Sequence, residues 1–295
     1  MIIIKVPAST ANLGAGFDCL GLAFNLFNIF EVKEISHGLE IEGCLEEYKN
    51  ENNLVFRAMK KCFKKIGYKY KGIYINMHCE IPLSSGLGSS SACILGGIIG
   101  ANEIAGNILS KNEILNLATS MEGHPDNITA AFLGGLTVSL YKDTVYYEKF
   151  IIPKGLKFYA LVPNFSLSTN TSRSILPAQI PFKDAVSNIG SCALLLSSLA
   201  NGNFELLRAC DDKMHEPYRI SLIPNFINIK TVALKNDALG VFLSGAGPTI
   251  MVLANESNQL LPKEILSYLN TLTINWTVKE LSICNEGTTI THNTV

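Results

Sequence analysis

The sequence predicts an α+β protein built in two layers. Three observations predict it. Segments of period-two polarity recur along the chain, the clearest being GIYINMHCEI at residues 72–81. Stretches of helical period interrupt them without the regular strand–helix alternation of a doubly wound sheet. The 295 residues suffice for one large or two medium domains with a buried core. Pro153 offers a boundary, dividing residues 1–152 from 153–295.

Taken in order, residues 2–6 (IIIKV) read as a strand that leads into a Gly-rich stretch, PASTANLGAGFDCLG (7–21), and then into the β-like LAFNLFNIFEVKEI. NLVFRAMKKCFKKIG (53–67) has helical spacing, with Leu54, Ala58 and Cys62 on one face and Gly67 to stop it. In residues 72–81, Ile73, Ile75, Met77, Cys79 and Ile81 share one face, so a half-buried strand delivers the chain to PLSSGLGSSSA (82–92). A long apolar helix begins near Ser89. Ser110 and Glu113 form a capping box for a helix that ends at Gly123. Beyond HPDNITAAFLGGLTVSLY (124–141), strands are expected near 144–152 and 157–162, and helices near 185–200 and 204–215. ALGVFLSGAGP (238–248) and TIMVLAN (249–255) read as strands, Pro262 opens a helix, and WTVKELSI (276–283) is the last strand expected.

Composition narrows the function. With 24 Lys+Arg against 25 Asp+Glu, nothing favours a nucleic-acid or polyanionic partner. The eight cysteines form no CxxC pair and no zinc-like grouping with the five histidines, which points to reduced thiols in a cytoplasmic protein. Neither a basic leader nor an apolar run of membrane-spanning length is seen, so no membrane is expected.

Gly86, Gly88, Ser89, Ser90 and Ser91 crowd into six positions ahead of the apolar helix. Glycine lets amides approach an anion closely and a helix start adds positive potential, so phosphate is the expected guest, although an ordinary capped turn would look similar. No lysine lies between Lys71 and Lys111, which excludes a Walker A loop, and Gly86-x-Gly88 lacks the third glycine of a dinucleotide fingerprint.

PASTANLGAGFD, PLSSGLGSSSA and LGVFLSGAGPT stand in this order along the chain, and the middle one has the pattern Pro-x-x-x-Gly-Leu-Gly-Ser-Ser. The sequence resembles the GHMP kinase superfamily and, through VPASTANLGAGFDCLGLA, EGHPDN, STNTSRSILP and HEPYR, its homoserine kinase branch. The resemblance implies a two-domain α+β fold, with an N-terminal domain like domain 2 of ribosomal protein S5 and a ferredoxin-like C-terminal domain. It implies ATP and Mg²⁺ as cofactors and L-homoserine as the substrate, phosphorylated on its side-chain hydroxyl to O-phospho-L-homoserine in threonine biosynthesis. A homodimer is compatible with it.

By the same resemblance, ATP is held by Asn53 and by Pro82, Leu83, Ser84, Ser85, Gly86, Leu87, Gly88, Ser89, Ser90, Ser91 and Ala92. Ser90 and Glu122 are the metal ligands and, with Asn127, the catalytic set. Asn12, Asp18, His124, Asn127, Arg173, Arg219 and Gly245 surround the substrate. The chemistry is consistent: an amino-acid zwitterion wants a carboxylate for its ammonium, here Asp18, and a guanidinium fork for its carboxylate, here Arg173 and Arg219. Glycines of SGAGPT (244–249) would bring a second set of amides to the substrate. Asn127 stands where mevalonate kinases carry Asp, and an amide is no base, so direct in-line attack is expected. Two alternatives stay open: a small-alcohol kinase, for which Asp18 would lack a purpose, and a silent binding protein, for which Ser90 and Glu122 would.

Overall fold

β-branched and aromatic residues crowd the first 35 positions, and they pair off at once. In the computed structural model, which describes residues 1–293, β1 (Ile2–Asn12) folds back antiparallel onto β2 (Gly16–Ile35). The strand expected at residues 2–6 therefore runs on through residues 7–12, the start of the Gly-rich stretch. The chain reverses at 13–15, where Gly14 takes positive φ without steric cost, and Asn12 and Leu13 just before it take positive φ as well. β3 (Gly38–Glu42) lies parallel to β4 (Gly72–Cys79), and β2 is long enough to pair with β4 through its second half and with β5 (Leu136–Tyr141) through its first. β6 (Val145–Phe150) extends β5.

Four helices cover this sheet: α1 (Leu54–Ile66), α2 (Ser89–Ile104), α3 (Lys111–Glu122) and α4 (Asp126–Leu133). The expected ends of α1 and α3 are present. Gly67 and Gly123 sit in the left-handed region, and Ser110 and Glu113 exchange both bonds of the capping box. α4 has no counterpart in the sequence reading, because a two-turn helix buried along most of its length, its polar Asp126, Asn127 and Thr129 included, shows no apolar stripe of helical period.

The second sheet has the order β10-β7-β9-β8, all antiparallel, from β7 (Leu156–Pro163), β8 (Gly240–Leu243), β9 (Ile250–Asn255) and β10 (Trp276–Leu281). Between β7 and β8 run α5 (Thr169–Ser174), α6 (Phe182–Asn201), α7 (Glu216–Arg219) and α8 (Phe226–Lys235), and α9 (Leu261–Leu269) follows β9. The helix expected over 204–215 is a short 3₁₀ turn at Phe204–Ala209. The chain then breaks at Asp212, whose carboxylate accepts from His215 N and Glu216 N at 2.9 and 2.6 Å and so starts α7 instead.

Strand alternation divides the core. Phe158 and Ala160 of β7, Phe242 of β8, and Met251 and Leu253 of β9 point into one apolar cluster shared with the first sheet, where the Phe24 and Phe158 rings lie 5.3 Å apart. Tyr159, Leu161, Val241, Leu243, Ile250 and Val252 point the other way, under α8 and α9. A sheet buried on both faces explains why LKFYALVP is an almost unbroken apolar run. The chain's last strand, β11 (Thr289–His292), leaves this layer and pairs antiparallel with β1 of the first sheet, covering an otherwise open edge. No helix among the described residues is long and apolar enough to cross a membrane.

Candidate active site

β4 feeds the chain into the loop at 82–88. Ser85 Oγ donates to Pro82 O at 2.8 Å and accepts from Leu87 N at 3.4 Å, curling the loop back on itself. Gly88 then caps α2 at φ 75°, and a Cβ there would collide with Ser9 Oγ and come within 3.3 Å of Asn127 Oδ1, so no larger residue fits. No side chain caps α2. Its first internally paired amide is Ala92 N, which donates to Gly88 O at 2.9 Å. The preceding N–H groups are the orphan donors of a helix start, an arrangement suited to phosphate.

The loop forms one wall of a cleft of about 690 Å³. At one end the lining is apolar and sulfur-rich, from Cys44, Leu45, Tyr48, Leu54, Met77, Cys79 and Cys93, a surface that suits a purine. These residues come from separate segments, and no local pattern marks them. Asn53 lines this end too, but its side chain is committed to structure: Oδ1 accepts from Val55 N and Phe56 N to cap α1, while Nδ2 donates to Tyr48 O at 3.0 Å and reaches Met77 Sδ at 3.5 Å. Pro82 to Gly86, Gly88, Ser89 and Ser90 line the cleft. The side chains of Leu87, Ser91 and Ala92 do not; all three are fully buried behind the loop.

Glu122 is the last residue of α3, where the helix dipole disfavours a negative charge. Two hydroxyls from the start of α2 compensate it: Ser90 Oγ donates to Oε2 at 2.8 Å and Ser91 Oγ to Oε1 at 2.9 Å. A hydroxyl and a carboxylate are thus juxtaposed beside the phosphate loop, a hard-oxygen set that fits Mg²⁺.

The opposite end is polar. Arg173 of α5 grips Asp18 of β2 through two bonds, Nη2–Oδ1 at 2.6 Å and Nη1–Oδ2 at 3.1 Å, both side chains about one-third exposed. Buried Arg219 lies beside them, donating from Nε to Ser172 O and from Nη1 to Gly245 O, each at 3.1 Å. Burial and the neighbouring Arg173 push its pKa down to about 10, so it stays cationic at neutral pH. Asn12 is buried, accepts from Asp18 N at 3.0 Å and donates to Gly245 O at 2.9 Å.

His124 Nδ1 lies 2.7 Å from Asp126 Oδ1, and the same oxygen accepts from Asn127 N at 2.7 Å. Burial pulls the His124 pKa down, but the Asp126 carboxylate outweighs it, and the net shift is upward. Asn127 Oδ1 accepts from Ser9 Oγ at 2.9 Å, which leaves Nδ2 without a partner among the described residues and able to donate into the cleft.

Gly245, Ala246 and Gly247 of the segment 244–249 line the cleft. The segment's amides are mostly committed internally: Gly245 N donates to Ala11 O, Gly247 N to Ser244 O and Thr249 N to Ser85 O, and Ser244 Oγ bonds Gly86 O at 2.6 Å and Thr10 Oγ1 at 2.8 Å. The segment thus ties the 82–88 loop to β1, while Ala246 N, on the cleft wall, has no partner among the described residues. Gly245 contributes its carbonyl, which holds Asn12 and Arg219.

Comparison with known proteins agrees with this geometry. Residues 53–135 match the family model for the GHMP kinases N terminal domain and residues 195–269 that for the GHMP kinases C terminal domain. The chain is 51% identical over 297 residues to a homoserine kinase of Clostridium botulinum (strain Kyoto / Type A2), covering 100% of both. The crystal structure of homoserine kinase from Cytophaga hutchinsonii is similar at a TM-score of 0.86 and 29% identity, over 98% of this chain and 97% of that one. The Methanococcus jannaschii mevalonate kinase shares the fold at a TM-score of 0.68 and 19% identity, over 96% and 98%. With two motif-bearing sheets joined around one cleft and a relationship running from end to end, the chain belongs to the homoserine kinases of the GHMP kinase family.

Proposed function

We propose that this chain transfers the γ-phosphoryl group of ATP to the side-chain hydroxyl of L-homoserine, releasing ADP and O-phospho-L-homoserine. One observation carries the reading: a single cleft runs from the phosphate loop to a pocket where the Asp18 carboxylate faces two guanidinium groups, those of Arg173 and Arg219, while Asp126 nearby is engaged by His124 and Asn127 N. An acid facing a guanidinium fork is the charge pattern an amino-acid zwitterion needs. The substrate's ammonium replaces Arg173 beside Asp18 and its carboxylate replaces Asp18 beside Arg173, so neither protein charge is stranded. The sulfur-lined end takes the adenine, and the loop amides with the start of α2 take the phosphates.

Ser90 and Glu122 would hold Mg²⁺, which when bound neutralises charge on the transferring group. Asn127 Nδ2 donates to the attacking hydroxyl oxygen and orients it, without removing its proton. In a loose transition state little proton removal precedes phosphoryl departure, so alignment and charge neutralisation do the work and the proton leaves to the phosphoryl group or solvent. In this reading residues 1–152 supply the phosphate loop and metal ligands. Residues 153–295, of which 294 and 295 lie outside the described residues, supply Arg173, Arg219 and the 244–249 segment. A cytoplasmic setting suits the eight unpaired thiols.

The test is a coupled assay of ADP release. Homoserine should support turnover; mevalonate and galactose should not, and turnover with either of them alone would replace the substrate assignment. Asp126→Asn keeps an Oδ1 acceptor for His124 and Asn127 N and should keep kcat within about tenfold. A loss of about 10²- to 10⁴-fold, the worth of a general base, would make Asp126 that base.

A further inference from the structure

HEPYR supplies Arg219 to the cleft, but its first residue is bound up with the same site. His215 is fully buried, and its two ring nitrogens face partners that cannot exchange roles. Nε2 lies 2.9 Å from Gly14 O, which only accepts, and Nδ1 lies 3.2 Å from Arg219 Nη1, which only donates. The ring is therefore neutral, with its proton on Nε2 and a lone pair on Nδ1. Burial holds its pKa below the ordinary histidine value, with Arg219 adding to the effect and Asp212, 3.7 Å from Nε2, and Asp18 on β2 opposing it.

Phe17, next to Asp18, joins the same group. Its ring stacks on His215 with centroids 5.1 Å apart at 25°, and the guanidinium carbons of Arg219 and Arg173 stand 5.2 and 5.5 Å from its centroid. Two like charges thus share one aromatic ring, whose quadrupole attracts both. With Nε on Ser172 O and Nη1 on His215 and Gly245 O, Arg219 retains Nη2 without a partner among the described residues.

We infer that Phe17 and His215 are positioning residues of the acceptor site: the Phe17 ring holds the guanidinium groups of Arg173 and Arg219 side by side, and neutral His215 orients that of Arg219 so that Nη2 remains for the substrate's carboxylate. This rests on the reading that the two arginines bind that carboxylate. Protonation of His215 would put an N–H against Arg219 Nη1 and release the guanidinium from its orientation.

Homoserine and its carboxamide differ only in the carboxylate, so the ratio of their kcat/KM values reads the arginine clamp directly. If wild type does not prefer homoserine, the carboxylate reading itself fails, whatever the variants do. Given that preference, Phe17→Leu should cut the ratio about tenfold through a raised homoserine KM, with kcat and the ATP KM within about twofold. His215→Gln keeps an N–H for Gly14 but has no acceptor at the Nδ1 place, and should behave alike. His215→Asn puts Oδ1 at that place and should retain most of the ratio.

Wild-type homoserine KM should climb toward acid relative to His215→Asn, which has no ring to protonate. An unchanged ratio in both Phe17→Leu and His215→Gln overturns the inference. So does equal impairment of the Gln and Asn variants with kcat and both KM values moving together, since that is a merely structural role. Should His215→Gln fail to fold, the Phe17→Leu ratio and the difference in pH profile between wild type and His215→Asn decide.

Discussion

Glu122 is the residue whose surroundings say most about its role. Its two carboxylate oxygens accept from Ser90 and Ser91, so it is held in one orientation at the mouth of the phosphate loop although it ends a helix whose dipole opposes it. Glu122→Gln keeps the shape and an acceptor oxygen but removes the charge. If the carboxylate holds the metal, kcat should fall about 100-fold, some 3 kcal/mol of charge stabilisation, while the homoserine KM stays within about twofold. Steady-state kinetics at saturating Mg²⁺ check this, and near-normal turnover would move the ligand role elsewhere. Asp18 and Arg173 make the complementary point. Each neutralises the other at 2.6 Å, so neither of these two charges is unpaired until a zwitterion offers the same two charges in exchange.

At the scale of elements, α2 both presents the phosphate loop and anchors it. The helix is apolar on nearly every side because α1, the first sheet and α3 all pack on it, and it approaches α1 so closely that a Cβ on Gly97 would overlap the Val55 carbonyl and lie 2.7 Å from Ala58 Cβ. Helix propensity favours Gly97→Ala by about 1 kcal/mol, yet the collision is with backbone and costs about 1–3 kcal/mol. The net expectation is destabilisation, measured as a lower urea midpoint. Gly190 in α6 is the control: nothing lies within 4 Å of its Cβ position, so Gly190→Ala should stabilise by up to about 1 kcal/mol. Equal effects at the two sites would mean that close helix approach is not what selects glycine in α2.

For the whole molecule, the two sheets share one apolar cluster and the 244–249 segment is bonded to both Gly86 and β1, so the cleft walls are joined rather than hinged on a linker. Within the second half, Glu216 ties α7, which carries Arg219, to β8. Its Oε1 accepts from Leu243 N of β8 at 2.6 Å, and burial raises its pKa from 4.5 to about 7. A folded pKa above the unfolded one means that its contribution is fully present below pH 4.5 and is lost as the pH rises through about 7. By linkage the loss approaches about 3 kcal/mol at high pH. Glu216→Gln, neutral and isosteric, should therefore flatten the decline of Tm from pH 5 to pH 8 and be more stable than wild type at pH 8. A parallel decline in both proteins would show that Glu216 ionises without cost.

The sequence by itself determined what each local segment could be. The alternation of Ile73, Ile75 and Met77, the caps at Gly67, Ser110 and Gly123, and the glycines and serines of 86–91 depend only on near neighbours and reappear in the structure, whereas Cys79, expected on the same buried face, is exposed at the end of β4. The motifs also named most of the cleft wall. Tertiary structure decided the rest, because those choices depend on partners far away in the chain. Asp18 meets Arg173 across 155 residues, and the last strand closes on the first. The sulfur-lined end is assembled from Cys44, Met77, Cys79 and Cys93, none of which carries a local signal of its place. Which amides of 244–249 are bonded, as Gly245 N is to Ala11, and which stay free, as Ala246 N does, is set by packing between sheets, which periodicity and turn chemistry do not encode.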